Sequence, residues 1–294
     1  MSRNEDRLGL GNAPSHDDTP AATSAAVGIG APTSGEAHSF NWSVPTEFVE
    51  LPSEGLFYPP GHLLHNQKTI EIRYMTAKEE DILTSLSLLK AGLALDRMLQ
   101  NILIDKSLNI NSLLIGDKNA LLVAARRTGY GPEYETSVTC PKCTNSVEHS
   151  FDISSPPIND FKANADDLGV THSDHGTVSI TLPMSGMQVE CRLLTGEDEA
   201  KVMKEAERKA KRKIESSTTT DAFRAFMVSV NGDSNPFTLE SFIQSMPARD
   251  ARHLRTIYNQ ILPNINLTQL FECSECGHEG DMEVPLGVDF FWPK

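Results

Sequence analysis

Two cysteine pairs with the same internal spacing place the strongest constraint on how this chain can fold. They lie in Cys140-Pro141-Lys142-Cys143 and Cys273-Ser274-Glu275-Cys276, and 129 residues separate the two pairs. Residues that favour strands follow each pair, at 146–151 and 280–284, as in a zinc ribbon. Two such turns supply the four thiolates of a tetrahedral zinc site. We therefore predict one structural zinc ion, with Cys140, Cys143, Cys273 and Cys276 as its ligands.

The long separation of the pairs differs from a compact four-cysteine site, in which about 15–20 residues separate them. The region between the pairs is therefore interpreted as an insertion between two halves of one site. The metal would then join the beginning and the end of the folded region. A dithiol redox site and a set of unliganded cysteines are the alternatives. A catalytic zinc is disfavoured, because four thiolates leave no coordination position for water.

Two other residues could take part in this chemistry. His278 follows the second pair and could compete as a ligand, although a surface histidine is the favoured interpretation. Cys191 lies in a predicted strand between Glu190 and Arg192, which is typical of a small buried residue and not of a nucleophile. Neither residue is counted among the predicted ligands.

The pattern as a whole predicts an α+β fold. It has an N-terminal helical bundle region and a zinc-ribbon-like four-cysteine unit, which a long insertion of a β-hairpin and helices splits in two. Small and polar residues dominate the first part of the chain and cannot bury enough surface to order it. The predicted segments are a disordered arm at 1–39, an extended clasp segment at 40–68, a helical region at 69–132, the two ribbon halves at 133–151 and 266–294, and an α+β insertion at 152–265.

Local patterns predict several elements directly. Residues 69–75 alternate between apolar and polar side chains, which is the period of a half-buried strand. Thr76 is followed three residues later by Glu79, and this pair predicts a capping box at the start of a helix. Strand-like residues at 177–182 and 188–194 flank a turn and predict a hairpin. No repeat of solenoid length is visible.

The charge and composition exclude several classes of protein. There are 26 basic and 40 acidic residues, and the formal net charge of −14 disfavours wrapping by DNA or binding to an anionic membrane. Five cysteines are too few for a disulfide-built secreted scaffold. No stretch approaches the roughly 18 apolar residues of a membrane helix, and the first residues lack the apolar segment of a signal peptide. We expect a soluble protein of a reducing compartment.

The sequence contains no motif of a catalytic site. It has no phosphate-binding GxxxxGK[ST] loop, no GxGxxG after a strand and no HExxH zinc motif. The histidines are scattered through the chain and indicate no catalytic arrangement. We therefore expect that the protein is not an enzyme.

Three segments are candidates for contacts with other proteins. The predicted helix at 197–214 has acidic residues at its start and the basic run Arg208–Lys213 at its end, which suits a solvated helix or, alternatively, a basic docking patch. The proline- and aromatic-rich segment Leu51–Pro59 is either a clasp on the domain or a partner-binding segment. The aromatic C-terminus Val288–Lys294 either packs on the core of its own chain or anchors in a neighbouring subunit.

An ordered set of short motifs runs through the chain. The motifs are Leu51-Pro52-Ser53-x-Gly55-x-x-Tyr58, Met75-Thr76-Ala77-x-Glu79-Glu80-Asp81-Ile82-Leu83, Gly116-Asp117-Lys118-Asn119-Ala120-Leu121-Leu122, Thr128-Gly129-Tyr130-Gly131, the two cysteine pairs and Phe290-Phe291-Trp292-Pro293. Together they resemble the T-even-type bacteriophage baseplate protein family. The resemblance covers roughly residues 45–294 and leaves out the predicted arm.

This resemblance implies a non-enzymatic protein that acts in assembling the tail baseplate hub. Its implied partners are other baseplate and hub proteins of the phage, with no small-molecule substrate and no membrane. Its implied location is the virion tail, the host cytoplasm during assembly, or both. The alternative is a zinc-ribbon nucleic-acid-binding or transcription-associated factor that docks through Arg208–Lys213, which the negative net charge disfavours.

Overall fold

The computed structural model describes residues 43–173, 176–212, 218–286 and 288–291, which belong to one unit, Ser43–Lys294. The predicted arm at 1–39 lies outside the described residues. Helices and strands follow one another as β1 (Thr46–Glu50), β2 (Thr69–Arg73), α1 (Ala77–Thr84), α2 (Leu86–Lys90), α3 (Ala94–Ile102), α4 (Ile115–Tyr130), β3 (Glu133–Thr139), β4 (Ser146–Asp152), α5 (Phe161–Leu168), β5 (Thr171–His172), β6 (Thr177–Thr181), β7 (Gln188–Arg192), α6 (Gly196–Lys211), α7 (Thr218–Phe226), β8 (Met227–Val230), α8 (Pro236–Ser245), α9 (Ala248–Ile261), β9 (Thr268–Glu272) and β10 (Glu279–Glu283).

The strands of the described residues form small antiparallel sheets. β1 pairs with β2, β3 with β4, and β9 with β10, while β5, β6, β7 and β8 form a four-stranded sheet in that order. The predicted hairpin is confirmed as β6 and β7, and the predicted strand at 69–75 is confirmed as β2. The mixed helix-and-strand class is therefore correct.

Helix α4 lies at the centre of the core. It packs against β1, α3, α6 and the 3₁₀ turn Val288–Phe291, and most of its residues between Gly116 and Arg126 are buried. A Cβ atom on Gly116 would lie 1.9 Å from the carbonyl oxygen of Pro263, so only glycine permits this close approach of two backbones. Helix α4 therefore packs against strand β1 as well as against helices. The predicted N-terminal helical bundle is not shown.

Two helices begin with the same arrangement of charged and hydroxyl side chains. At α1, the predicted capping box of Thr76 and Glu79 is confirmed, and the Glu79 carboxylate also accepts two hydrogen bonds from Arg73 at 2.6 and 2.8 Å. At α6, Thr195 and Asp198 form a second capping box, and Arg192 donates to Asp198 at 2.6 and 2.9 Å. Each arginine ends a strand and so holds it to the helix that follows.

Two buried aspartates each hold a hairpin turn against a helix. Asp117 is the third residue of α4; its carboxylate accepts from the Ser53 N–H at 3.0 Å, the Ser53 hydroxyl at 2.6 Å and the Tyr58 hydroxyl at 2.7 Å. Asp250 is the third residue of α9 and accepts from the N–H groups of Met184 and Ser185 at 2.8 and 2.9 Å. Neither aspartate is exposed to solvent.

The described chain therefore contains one succession of motifs twice. In each half a Leu-Pro-x-x-Gly turn, an Arg-x-x-Thr-x-x-acid corner and a Cys-x2-Cys pair follow in that order. The spacing from first to second copy is 131 residues for the leucine, 119 for the arginine and 133 for the first cysteine. This repeat is much longer than a solenoid unit, and insertions of different length separate its motifs.

The hydrogen bonds of the two halves correspond as well as the motifs do. The Leu51 N–H donates to the Lys68 carbonyl at 2.8 Å, and the Leu182 N–H donates to the Met187 carbonyl at 2.9 Å. In both hairpins the leucine of the motif thus makes the backbone hydrogen bond at the base of the loop. A third strand segment then joins each hairpin: Leu103 bridges to Ile72 in the first half, and β8 pairs with β7 in the second. The first half is β1, β2 and their helices up to β4, and the second runs from β6 to β10.

We expect Asp117→Asn to destabilise the protein by about 2–3 kcal/mol, because an amide leaves at least one of the three buried donors without an acceptor. The exposed Asp167→Asn is the matched control and should change stability by less than about 0.5 kcal/mol. Denaturant unfolding of both variants measures these effects. Equal stabilities of the two variants would show that the carboxylate does not hold the turn.

A second prediction concerns acid. Burial acts to raise the pKa of Glu79, but the hydrogen bonds from Arg73 and Thr76 outweigh it and hold the pKa at about 2, below the usual value of 4.5. Its stabilising contribution is therefore complete above about pH 4.5 and is lost as the pH falls toward 2.

Unfolding of the wild type and of Glu79→Gln should accordingly differ by about 2 kcal/mol at neutral pH and by progressively less below pH 4.5. Comparing two proteins at each pH cancels acid effects that they share. The exposed Glu135→Gln is the control, for which we expect no such convergence. A wild-type to Glu79→Gln difference that is constant from pH 7 to pH 2 would contradict the prediction.

Candidate metal centre

The two cysteine pairs lie in the turns of two matching β-hairpins. Thr139 pairs with Ser146 at the end of the β3–β4 hairpin, and Glu272 pairs with Glu279 at the end of the β9–β10 hairpin. Six residues connect the strands in each case, and the first cysteine of each pair directly follows a strand. The chain thus presents both pairs in the same way.

The backbone of the two turns is also the same. The N–H groups of Cys140 and Cys273 each donate across the turn at 2.9 Å, to Asn145 and His278 respectively. Four residues after each first cysteine the backbone is left-handed, with φ of 61° at Thr144 and 62° at Gly277. Glycine adopts this conformation readily, whereas a β-branched threonine does so at a cost in strain. The tight turn places the two thiols of a pair on one side.

The four predicted thiols converge on one point. All four sulfur atoms lie within 4.8 Å of one another. Across the hairpins, Cys140 Sγ is 3.8 Å from Cys276 Sγ and Cys143 Sγ is 3.7 Å from Cys273 Sγ. Metal–sulfur bonds of about 2.3 Å in a tetrahedron place the sulfurs about 3.8 Å apart. The spacing of the thiols therefore fits a metal ion at their centre, and the group is a possible metal site.

The thiols of this group differ in how readily they ionise when no cation is bound. Desolvation raises the pKa of Cys140, but the backbone N–H groups of Cys143 and Lys142 outweigh it and lower the pKa to about 7. Desolvation and the neighbouring thiols raise the pKa of Cys276 to about 12. Four thiolates this close would repel one another strongly without a cation, and bound metal removes that penalty.

Contacts away from the sulfurs hold the two hairpins together. The Gln269 side chain accepts from the Asp152 N–H at 3.1 Å and donates to the Asp152 carbonyl oxygen. The rings of His149 and Phe271 meet with centroids 5.3 Å apart. Gln269 was not predicted from the sequence, because a half-buried glutamine in a strand gives no signal of such a contact.

The C-terminal aromatics pack at the end of the β3–β4 hairpin that lies opposite the cysteine turn. Phe290 and Phe291 are buried, and the Phe290 ring meets Tyr134 edge-on at 4.9 Å between centroids. Arg126 donates to the Phe290 carbonyl oxygen at 2.8 Å. Packing on the core of the same chain is thus confirmed for these two residues, and Trp292–Lys294 lie outside the described residues.

The other residues considered from the sequence lie apart from the four thiols. His278 contributes no atom to the group found among the described residues, and its backbone carbonyl serves the turn instead. Cys191 is buried in β7, as predicted, and desolvation raises the pKa of its thiol to about 12. The site therefore consists of cysteines alone.

The basic run at the end of α6 is balanced by acidic side chains. Arg208 pairs with Glu205 at 2.6 Å, Lys211 with Glu207 at 3.8 Å, and Lys209 with Asp221. Lys213 lies outside the described residues. These ion pairs favour the solvated-helix interpretation over a basic docking patch.

Together these observations define a mixed helix-and-strand protein in which two like hairpins bring four thiols into one closed group. A family model described as "T4 bacteriophage base plate protein" matches residues 58–292, which is most of the chain, and the chain belongs to this family. The family resemblance noted from the motifs is confirmed. A search of curated proteins and a search of solved structures gave no significant match. In the part of the chain that the structure describes, no helix is long and apolar enough to cross a membrane.

Proposed function

We propose that this protein is a structural or assembly component of a bacteriophage tail baseplate hub and acts through protein–protein contacts. The observation that carries the proposal is the family match over residues 58–292. Its site of action would be the virion tail, the host cytoplasm during assembly, or both. A non-enzymatic role accords with the family and with a four-thiol group that, once loaded, leaves no position for a substrate.

We further propose that Cys140, Cys143, Cys273 and Cys276 bind one structural zinc ion. Soft thiolates in a tetrahedral set of four favour zinc, and the sulfur separations support such a set. Zinc would then join the segments 133–151 and 266–294 around the insertion 152–265. A closed site of this kind stabilises a fold without supplying a reactive centre.

Two of the segments considered for contacts with partners are largely buried in the described structure. Most apolar residues of the Leu51–Pro59 segment are buried, as are Phe290 and Phe291, so these segments pack within the chain. Large apolar side chains are instead exposed at separate places on the surface. The most exposed of them are Phe48, Leu86, Phe237 and Leu270.

The zinc proposal predicts one zinc ion per purified chain by elemental analysis. Cys140→Ser should abolish stoichiometric zinc and lower stability by at least about 4 kcal/mol, or Tm by about 10 °C, because metal binding and folding are coupled. Cys191→Ala is the matched control, since it removes a buried thiol outside the site and should keep the zinc. Wild-type protein that contains no metal, or Cys140→Ser protein that retains it, would refute the assignment.

The baseplate proposal predicts that phage lacking this gene form no complete tails. A plasmid copy of the wild-type gene, or of Cys191→Ala, should restore infectious particles, whereas Cys140→Ser should restore few. Electron microscopy of lysates and particle titres measure both effects. Infectious particles with complete tails in the deletion strain would contradict the proposal. Mass spectrometry of purified virions separates a retained subunit from an assembly factor.

A further inference from the structure

Helix α2 is rich in leucine and yet buries none of its residues. It consists of Leu86-Ser87-Leu88-Leu89-Lys90, and none of these five residues is buried. Leu86 is 72% exposed, and Leu93, which follows the turn at Gly92 and directly precedes α3, is 46% exposed. A surface helix normally buries its apolar face against the core. Exposed leucines that follow one another in this way are typical of a surface that another molecule covers.

Each of the two exposed leucines has a basic residue one helical turn further on. Lys90 follows Leu86 by four residues, and Arg97 follows Leu93 by four. The Arg97 N–H donates to the Leu93 carbonyl at 3.0 Å, as in a regular helical turn. Residues four apart lie on the same face of a helix, so each leucine lies beside a cation. Leu86, Lys90, Leu93 and Arg97 together are called the leucine patch.

The two cations of the leucine patch have no acidic partner among the described residues. Lys90 and Arg97 form no ion pair in that part of the chain, and the neighbouring Asp96 pairs with Lys118 at 2.7 Å instead. The basic residues at the end of α6 differ in this respect, because acidic side chains of the same chain balance them. In a protein of net charge −14, the patch is thus a local surface that attracts carboxylates.

The second half of the repeat shows that the fold does not require these leucines. The residues that lie as far from the capping threonine of α6 as Leu86–Lys90 lie from that of α1 are Glu205-Ala206-Glu207-Arg208-Lys209. They belong to α6, and none of them is buried. Glu205 therefore stands where the first half has Leu86. Charged residues are the ordinary solution for such a surface helix, and the leucines of the first half depart from it.

We propose that the leucine patch binds a partner protein of the baseplate, at an apolar cleft whose rim carries Asp or Glu. Leu86 and Leu93 enter the cleft, and Lys90 and Arg97 pair with the carboxylates of its rim. This inference rests on the proposed function and names the chemistry of one partner. A second copy of the chain fits less well, because a two-fold contact through the patch brings the cations of both copies together. Two cations are also fewer than the basic clusters that bind anionic membranes.

The test is a binding titration of the full-length protein with each purified baseplate and hub protein of the same phage as the probe. Leu86→Glu and Met203→Glu are a matched pair, because both place a glutamate at an exposed apolar residue of a helix. Leu86 is the first residue of α2, where a negative charge favours the helix, so this variant should fold. We expect at least one probe to bind the wild type. Leu86→Glu should weaken that binding by about tenfold or more, and Met203→Glu by less than about twofold.

The double variant Lys90→Gln/Arg97→Gln tests the acidic rim. Ion pairs at the edge of an interface are screened by salt, so the affinity of the wild type should fall as the salt concentration rises. The affinity of the double variant should fall less steeply. The same salt dependence in both proteins would contradict a rim of carboxylates.

Four further results would overturn the inference. One is that no probe binds the wild type, and another is that Leu86→Glu and Met203→Glu bind equally well. The third is self-association of the wild type that Leu86→Glu abolishes in sedimentation, which would show that a second copy covers the patch. The fourth is sedimentation of the wild type, but not of Leu86→Glu, with vesicles of phosphatidylserine and phosphatidylcholine, which would show a membrane contact.

The deletion strain separates this inference from the proposed function. Complete tails without the gene would contradict both. Incomplete tails without the gene, together with full restoration of infectious particles by Leu86→Glu, would overturn the leucine patch alone.

Discussion

The buried carboxylate of Asp117 is the constraint on which the rest of the first half depends. A carboxylate without solvent is tolerated only when hydrogen-bond donors surround it, and here all three donors come from a segment about 60 residues earlier in the chain. Burial raises the pKa of Asp117, and the donors from Ser53 and Tyr58 act against that shift. The turn and helix α4 must therefore form together. Since α4 leads directly into β3, the same contact fixes where the first cysteine hairpin begins.

Asp250 anchors the turn of the second half to helix α9, as Asp117 anchors the first turn to α4. The two halves then meet at the four thiols. Helix α9 leads to β9 as α4 leads to β3, so each half brings one hairpin and two cysteines. The close approach of Gly116 to Pro263 brings the start of α4 against the chain that follows α9. The entropy of closing a loop grows slowly with its length, so 129 intervening residues are no obstacle once each half is ordered. The thiol group is thus a product of two separately anchored hairpins.

How far the sequence predicted this structure depends on the range of each interaction. The capping box of Thr76 and Glu79 and the shape of each Cys-x2-Cys turn are local, so spacing alone predicted them. The convergence of the four thiols was predicted because two Cys-x2-Cys turns together supply the four thiolates of one tetrahedral zinc site. The partners of Asp117 were missed, since a polar residue near a helix start gives no sign of burial. The repeat was missed because its turn and corner motifs are shifted by 131 and 119 residues respectively.

That difference in shift also explains why the two halves present different surfaces. Sixteen residues lie between Leu51 and Lys68, and this longer hairpin loop carries Tyr58 to Asp117, where its hydroxyl also accepts from the Leu114 N–H at 3.0 Å. Four residues lie between Leu182 and Met187, and there the backbone N–H groups of Met184 and Ser185, with the Ser185 side chain, donate to Asp250. Ser53 is consequently buried, whereas Met184 is 58% exposed. The same anchor is thus built twice, while the length of the loop above it decides which residues are buried and which are exposed.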